Sequence, residues 1–192
     1  MLKILSDYLN IQGKPASYYT QKQKRYLAKK VDVGKGTPME IRAQIIKGKR
    51  AGIDCSGLVA NAINSIKPIR KVLRTPSKNP FKVVQFFLRP IQNTNVKLLI
   101  DPINSRAIKD VKRIQEMDLI NVGDEHVMLV ISHEGNVVKY MESSETKGSV
   151  FIDKIKITKP GQNLSAQFWS DVNRKRLFVK TPRSGVRRLK RF

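Results

Sequence analysis

Hydrophobic positions follow two different periods along the chain, and the change between them falls near residue 95. Before this point apolar residues recur every three or four positions, a spacing that is typical of amphipathic helices. The predicted helices cover residues 16–30, 37–48, 55–66 and 80–88. In the last of these we expect Phe81, Phe86 and Phe87 to lie in the core.

After residue 95 the apolar residues form short β-branched runs separated by turns, which predicts strands. The runs are VKLLI (96–100), MDLINV (117–122), HVMLVIS (126–132), VVKYMES (137–143) and SVFIDKIKI (149–157). Helices first and antiparallel-looking strands second predict an α+β fold class, with N-terminal helices packed on a small antiparallel sheet.

The two ends of the chain are basic, and 192 residues fit one domain. We therefore expect a single domain over residues 1–192, with a core at about 37–157. The last nineteen residues, from Arg174, hold nine Lys or Arg and admit two interpretations. They form either a solvated basic tail or a segment that closes the domain through its apolar side chains, namely Leu177, Phe178, Val179, Leu189 and Phe192.

The charge balance is the most unusual feature of the composition. Thirty-eight Lys and Arg against fifteen Asp and Glu give a formal net charge of +23. Because such a charge repels itself in the folded state, it predicts an anionic partner. Peptidoglycan or another anionic polymer, nucleic acid and an anionic lipid surface all satisfy this condition, and charge does not choose among them.

Cysteine and histidine are scarce, with one Cys and two His in the chain. This excludes an internal disulfide and a cysteine-rich zinc site, and we expect neither a metal nor a cofactor. We expect no transmembrane segment, since no run approaches the ~20 apolar residues that such a helix needs. Because the first residues lack a secretory pattern, we expect a cytoplasmic protein or one delivered to the cell wall by a phage or effector route.

The single cysteine, Cys55, lies at the start of a predicted helix in the sequence AGIDCSGLVANAI. Asp54 is the expected N-cap, and Gly57 allows a substrate or another segment to approach closely. The first turn of a helix favours a thiolate, and backbone N–H groups near Cys55 and Ser56 can face an oxyanion. The alternative is a structural cysteine, since lone cysteines are usually small buried hydrophobes.

A candidate base and orienting group lie in the predicted hairpin downstream. If its loop is the three-residue turn His133–Gly135, His126 lies directly opposite Glu142 on one face of the sheet. Glu142 would then orient the imidazole of His126 towards the thiol, as in a cysteine hydrolase. A two- or four-residue loop would instead turn Glu142 to the other face.

These residues resemble a known family. DCSGLV at the head of a helix, followed in order by MDLINV, EHVMLVIS and YMESSETKGSV, is similar to the NlpC/P60 cell-wall peptidases over roughly residues 50–157. The resemblance implies a papain-like fold, with Cys55 as nucleophile and His126 as base. Glu142 then matches the third polar position, where the family more usually has His.

The resemblance also implies an activity, because most family members cut peptides in bacterial peptidoglycan. We therefore expect a cysteine peptidase or amidase that hydrolyses an amide bond, most often in peptidoglycan stem peptides. An alternative is a basic protein that binds nucleic acid or another anionic polymer, with an inactive or secondary hydrolase fold. Membrane association through residues 16–30 or the tail ranks last, because their apolar faces are poor.

Overall fold

The computed structural model describes residues 55–91, 93–144 and 149–192. The predicted helices at 16–30 and 37–48 and the Asp54 cap lie outside the described residues. Most of the described chain belongs to one compact unit, Cys55–Glu142 together with Ile152–Phe192. This part of the chain mixes helices with one sheet, which confirms the α+β class.

Five α-helices lie in the described ranges: α1 (Cys55–Ile66), α2 (Ile69–Val72), α3 (Pro80–Leu88), α4 (Val96–Ile100) and α5 (Val172–Lys180). The bounds predicted for α1, residues 55–66, are confirmed. Helix α3 begins where Asn79 accepts a hydrogen bond from the backbone N–H of Phe81 at 2.9 Å. The strand predicted at 96–100 is wrong, because Asn95 caps Leu98 N–H at 2.9 Å and starts α4.

The sheet has seven strands among the described residues. They are β1 (Ser105–Ile108), β2 (Leu119–Val122), β3 (His126–Glu134), β4 (Val137–Ser144), β5 (Ser149–Lys156), β6 (Phe168–Trp169) and β7 (Gly185–Leu189). Their spatial order is β1-β7-β2-β3-β4-β5-β6. The four strands predicted between residues 117 and 157 are confirmed, whereas the pattern did not predict β1, β6 and β7.

The basic C-terminal segment is part of the domain and not a solvated tail. Strand β7 lies between β1 and β2 and pairs antiparallel with both. Phe178 and Leu189 are buried, whereas Leu177, Val179 and Phe192 remain exposed. Of the two interpretations of the sequence, the structure therefore shows the one in which this segment closes the fold.

Both faces of the sheet are covered by apolar side chains. On one face Val127 and Leu129 belong to a cluster that includes Val59 and Ile63 of α1. On the other face, the side chains that alternate with them join an aromatic cluster, which consists of Met128, Val130, Tyr140, Trp169 and Phe178. Helices α1 and α5 are thus fixed on opposite faces, because successive strand residues point in opposite directions.

The hairpin between β3 and β4 differs from the sequence prediction. Glu134 pairs with Val137, so the loop is the two-residue turn Gly135-Asn136 and the predicted three-residue loop is wrong. Gly135 has a φ of 58°, the left-handed conformation that tight two-residue hairpin turns require at this position. Such a loop alone would place His126 and Glu142 on opposite faces.

A β-bulge reverses that consequence. The register shifts between Val130 and Ser132, which leaves Ile131 as an extra residue in β3. Beyond the bulge Leu129 pairs with Met141, and continuing this register places Met128 opposite Glu142. Glu142 is therefore the diagonal neighbour of His126 on the same face, and not its direct partner as predicted.

The core prediction for α3 is wrong for two of its three phenylalanines. Phe86 is buried with 4% of its surface exposed, whereas Phe81 is 67% and Phe87 58% exposed. Phe86 alone turns towards the α1 cluster, because a nine-residue helix packed on one side buries only one stripe of side chains.

The position of β7 leads to a testable prediction. Val186 is 5% exposed and pairs with Ile108 and Ile120 in neighbouring strands, so Val186→Asp places a carboxylate in the core. We expect the free energy of unfolding to fall by about 3 kcal/mol in urea denaturation. The matched control is Phe192→Asp, an exposed apolar position in the same segment, which should change stability by less than about 0.5 kcal/mol. Equal effects of the two substitutions would contradict a central β7.

Candidate active site

Cys55 lies where the sequence predicts it, at the first residue of α1. Its side chain is 9% exposed, and its thiol donates a long hydrogen bond to the backbone carbonyl of Glu125 at 3.8 Å. Val59 and Ile63, one and two turns further along, anchor α1 on the sheet. The sulfur is thereby held against the turn that precedes His126.

The other candidate residues around the thiol are placed only in part. Ser56 and Gly57 are buried in the first turn of α1, and the carbonyl of Gly57 accepts a hydrogen bond from Asn61 at 2.8 Å. Asp54 lies outside the described residues. The first turn of α1 is therefore closely packed.

His126 and Glu142 are in direct contact. The Nε2 atom of His126 lies 2.5 Å from Oε2 of Glu142, whose side chain is fully buried. Since Nε2 is engaged by the carboxylate, Nδ1 is the ring nitrogen that remains for the thiol. A side-chain hydrogen bond also links Cys55 to His126. The three residues selected from the sequence are thus brought together in the order thiol, imidazole, carboxylate.

The thiol and the imidazole approach each other from opposite faces of the sheet. His126, Met128 and Val130 are alternate residues of β3, so their side chains point to the same face of the sheet. Glu142 and α5 lie on this face as well. Cys55 belongs to α1, which packs on the other face. Cys55 and His126 meet because Cys55 is the first residue of α1 and His126 is the first residue of β3.

A fourth residue, Arg174 of α5, completes the cluster. Its guanidinium holds Glu142 through two contacts, Nη2 to Oε2 at 2.7 Å and Nε to Oε1 at 3.2 Å. This two-point contact fixes the plane of the carboxylate as well as its charge. Oε2 is thus shared by the guanidinium and the imidazole of His126, whereas Oε1 contacts Arg174 Nε.

The sequence pattern does not single out Arg174, because this residue lies in the basic C-terminal run. A signal was nevertheless present in the local pattern. Asp171 caps α5 by accepting from the N–H of Arg174, and Phe178 follows Arg174 by four residues. Residues four apart share a helix face, so the buried Phe178 indicates that Arg174 also faces the protein.

The pKa of His126 is raised above its usual value of 6.5. Desolvation by burial lowers it, but hydrogen bonds with Cys55 and Glu142 raise it by more, whereas the charge of Arg174 lowers it slightly. The folded protein therefore favours the protonated imidazole. The resulting stabilisation is present below pH 6.5 and is lost as the pH rises through the raised pKa.

The turn between β2 and β3, which leads into His126, is tied to the loop between α5 and β7. Asn121 donates to the carbonyls of Gly123 and Arg183 at 2.8 Å each, and Gly123 N–H donates to Ser184. Gly123 has a φ of 55°, and a Cβ added there would lie 2.6 Å from Thr181. Only glycine fits this conformation and this approach, so the turn is rigidly placed.

The second histidine, His133, is not part of this cluster. It lies near the far end of β3, where its Nδ1 contacts the carbonyl of Ile114 at 2.7 Å. Within the described ranges no group of three or more His, Cys, Asp or Glu side chains could hold a metal ion. In the same part of the chain, no helix has the length and hydrophobicity to cross a membrane.

Comparisons with protein-family models, with curated proteins and with solved structures find no match to this chain. The chemistry of the site therefore follows from its geometry. A thiol, an imidazole and an oriented carboxylate in a connected series are the groups that nucleophilic catalysis at a carbonyl uses.

The ion pair at Glu142 is testable through stability. Arg174→Met leaves the buried carboxylate without its cation, and we expect the free energy of unfolding to fall by about 3 kcal/mol. Arg174→Lys, which keeps the charge but loses the two-point contact, should cost less. The matched control is Arg176→Met on the exposed side of α5, with an expected change below about 0.5 kcal/mol in urea denaturation. A cost for Arg174→Met no larger than that of the control would contradict this ion pair.

Proposed function

We propose that this protein is a cysteine hydrolase that cleaves an amide bond through Cys55, His126 and Glu142. The observation that supports the proposal most strongly is the buried series of contacts from the Cys55 thiol through the imidazole to the carboxylate. All three side chains lie within one compact unit of the chain. A purely structural cysteine would not need a histidine and an oriented carboxylate beside it.

In the proposed reaction, Nδ1 of His126 accepts the thiol proton while Sγ of Cys55 bonds to the substrate carbonyl carbon. The carbonyl oxygen gains negative charge, and the backbone N–H of Cys55 at the start of α1 is a candidate donor to it. The imidazolium then gives its proton to the amide nitrogen, and the C–N bond breaks. Water, deprotonated by the same imidazole, attacks the thioester and releases the carboxylic acid.

Glu142 acts on the imidazole and not on the substrate. Its contact with Nε2 selects the tautomer in which Nδ1 is free to accept a proton, and it stabilises the imidazolium that forms. Arg174 keeps this carboxylate fixed through its two-point contact. The charge of Arg174 also opposes protonation of His126, so the carboxylate does not hold the proton too tightly for transfer to the leaving group.

The proposed substrate class is the stem peptide of peptidoglycan. Two observations support this choice: the resemblance of the DCSG region to NlpC/P60 peptidases, and a net charge of +23 that suits an anionic cell wall. The alternative, a basic protein that binds nucleic acid or another polyanion, rests on the charge alone. Its binding would weaken steeply with salt and would be unaffected by Cys55→Ala.

The first test of this proposal is the reactivity of the single thiol with iodoacetamide as a function of pH. A thiolate is the reactive species, so a cysteine paired with His126 should react at pH 6 at least about tenfold faster than in His126→Ala. The matched control is His133→Ala, which removes the other histidine and should leave the rate unchanged. Intact mass after reaction measures the rate, because only Cys55 can be modified.

Reaction only after unfolding, or an equal rate in His126→Ala, would refute the Cys–His pair. A positive result leads to peptidoglycan fragments as substrates. There we expect Cys55→Ala to abolish release of new amino groups, and Glu142→Gln to reduce it by about 100-fold through loss of imidazole orientation.

A further inference from the structure

Helix α3 carries an apolar face that is open to solvent. Phe81 is 67%, Val84 53%, Phe87 58% and Leu88 75% exposed. Four large hydrophobic side chains on a nine-residue helix are more than the isolated exposed residues that soluble proteins usually tolerate. Such a patch indicates an interaction surface.

The four side chains form one continuous face. At about 100° per residue, Phe81, Val84, Phe87 and Leu88 fall within an arc of roughly 120° around the helix axis. Phe86 projects from the opposite side and is buried in the α1 cluster. Helix α3 is therefore held to the domain by Phe86 and turns its remaining apolar side chains outward.

The stretch of chain that contains this face is basic. From Cys55 to Ile100 the chain contains no Asp or Glu. Seven exposed basic residues lie in the same stretch, namely Arg70, Lys71, Arg74, Lys78, Lys82, Arg89 and Lys97. Lys78 lies before α3, Lys82 lies within it and Arg89 follows it. At about 100° per residue, Lys82 and Arg89 project roughly 80–100° around the axis from Phe81, so basic side chains flank one edge of the apolar face.

We propose that α3 docks on an anionic phospholipid surface, with Phe81, Val84, Phe87 and Leu88 among the acyl chains and Lys78, Lys82 and Arg89 at the headgroups. An apolar helix face flanked by basic side chains is the combination that peripheral helices use at such surfaces. Charge complementarity favours lipid over a protein partner, because a basic flank on a chain of net charge +23 matches a uniformly anionic surface.

The proposed docking does not depend on the hydrolase activity. It assigns a role to α3, which lies between the DCSGLV and MDLINV motifs. Cys55→Ala should therefore bind vesicles as the wild type does, so a failure of either proposal can be distinguished from a failure of the other.

The test is cosedimentation of the full chain with vesicles of an equimolar mixture of phosphatidylglycerol and phosphatidylcholine, and with vesicles of phosphatidylcholine alone. We expect binding to the anionic vesicles only. The double substitution Phe81→Ser and Phe87→Ser should weaken it at least about tenfold, because two aromatic side chains no longer insert. Phe168→Ser, at a Phe that is 60% exposed on β6, is the matched control and should have no effect.

A second pair of variants separates this surface from the general charge of the chain. Lys78→Gln, Lys82→Gln and Arg89→Gln together should weaken binding roughly 100-fold. Lys154→Gln, Lys156→Gln and Lys159→Gln remove the same charge from exposed positions on β5 and the turn after it, and should weaken binding far less. Equal losses in the two triple variants would refute docking through α3.

Insertion can also be observed directly with Phe87→Trp. We expect the emission of the new indole to shift to shorter wavelength on anionic vesicles, while Trp169 is already buried and contributes a constant background. An unchanged emission would contradict insertion. Binding to neither type of vesicle, or a dimer in sedimentation that the Phe81→Ser and Phe87→Ser variant converts to a monomer, would overturn the proposal in favour of a protein partner or a second copy.

Discussion

The fully buried carboxylate of Glu142 is the interaction on which the rest of the site depends. A carboxylate removed from water is stable only if its charge is matched, and here Arg174 and His126 both contact its Oε2 atom. The pair joins β4 to α5, while the imidazole joins β4 to β3 and the thiol of α1. One buried charge therefore determines how two strands and two helices must be placed for the thiol to meet a base.

The backbone around this carboxylate is arranged accordingly. The extra residue Ile131 in β3 compensates for a two-residue turn and returns Glu142 to the face of His126. Gly123 lets the β2–β3 turn approach Thr181, which fixes the position from which His126 starts. Neither feature contributes a group to the proposed chemistry, yet each is needed for the imidazole to lie between the thiol and the carboxylate.

The sequence predicted the local parts of the site better than their connections. Helix α1 and strands β3 and β4 followed from apolar periodicity, because each is long and has a well-defined face. The contact of His126 with Glu142 was expected from a register that proved wrong, since a bulge leaves no clear signal in the pattern. The role of Arg174 and the central position of β7 depend on pairing between distant segments, which composition describes only as a basic tail.

The measurement that tests this account most directly is the NMR titration of the His126 imidazole, identified by its loss in His126→Ala. We expect a pKa above 6.5 in the wild type, and a lower pKa in both Cys55→Ala and Glu142→Gln, because each variant removes a hydrogen bond that favours the protonated ring. A pKa at or below 6.5 that neither substitution changes would contradict the proposed series of thiol, imidazole and carboxylate.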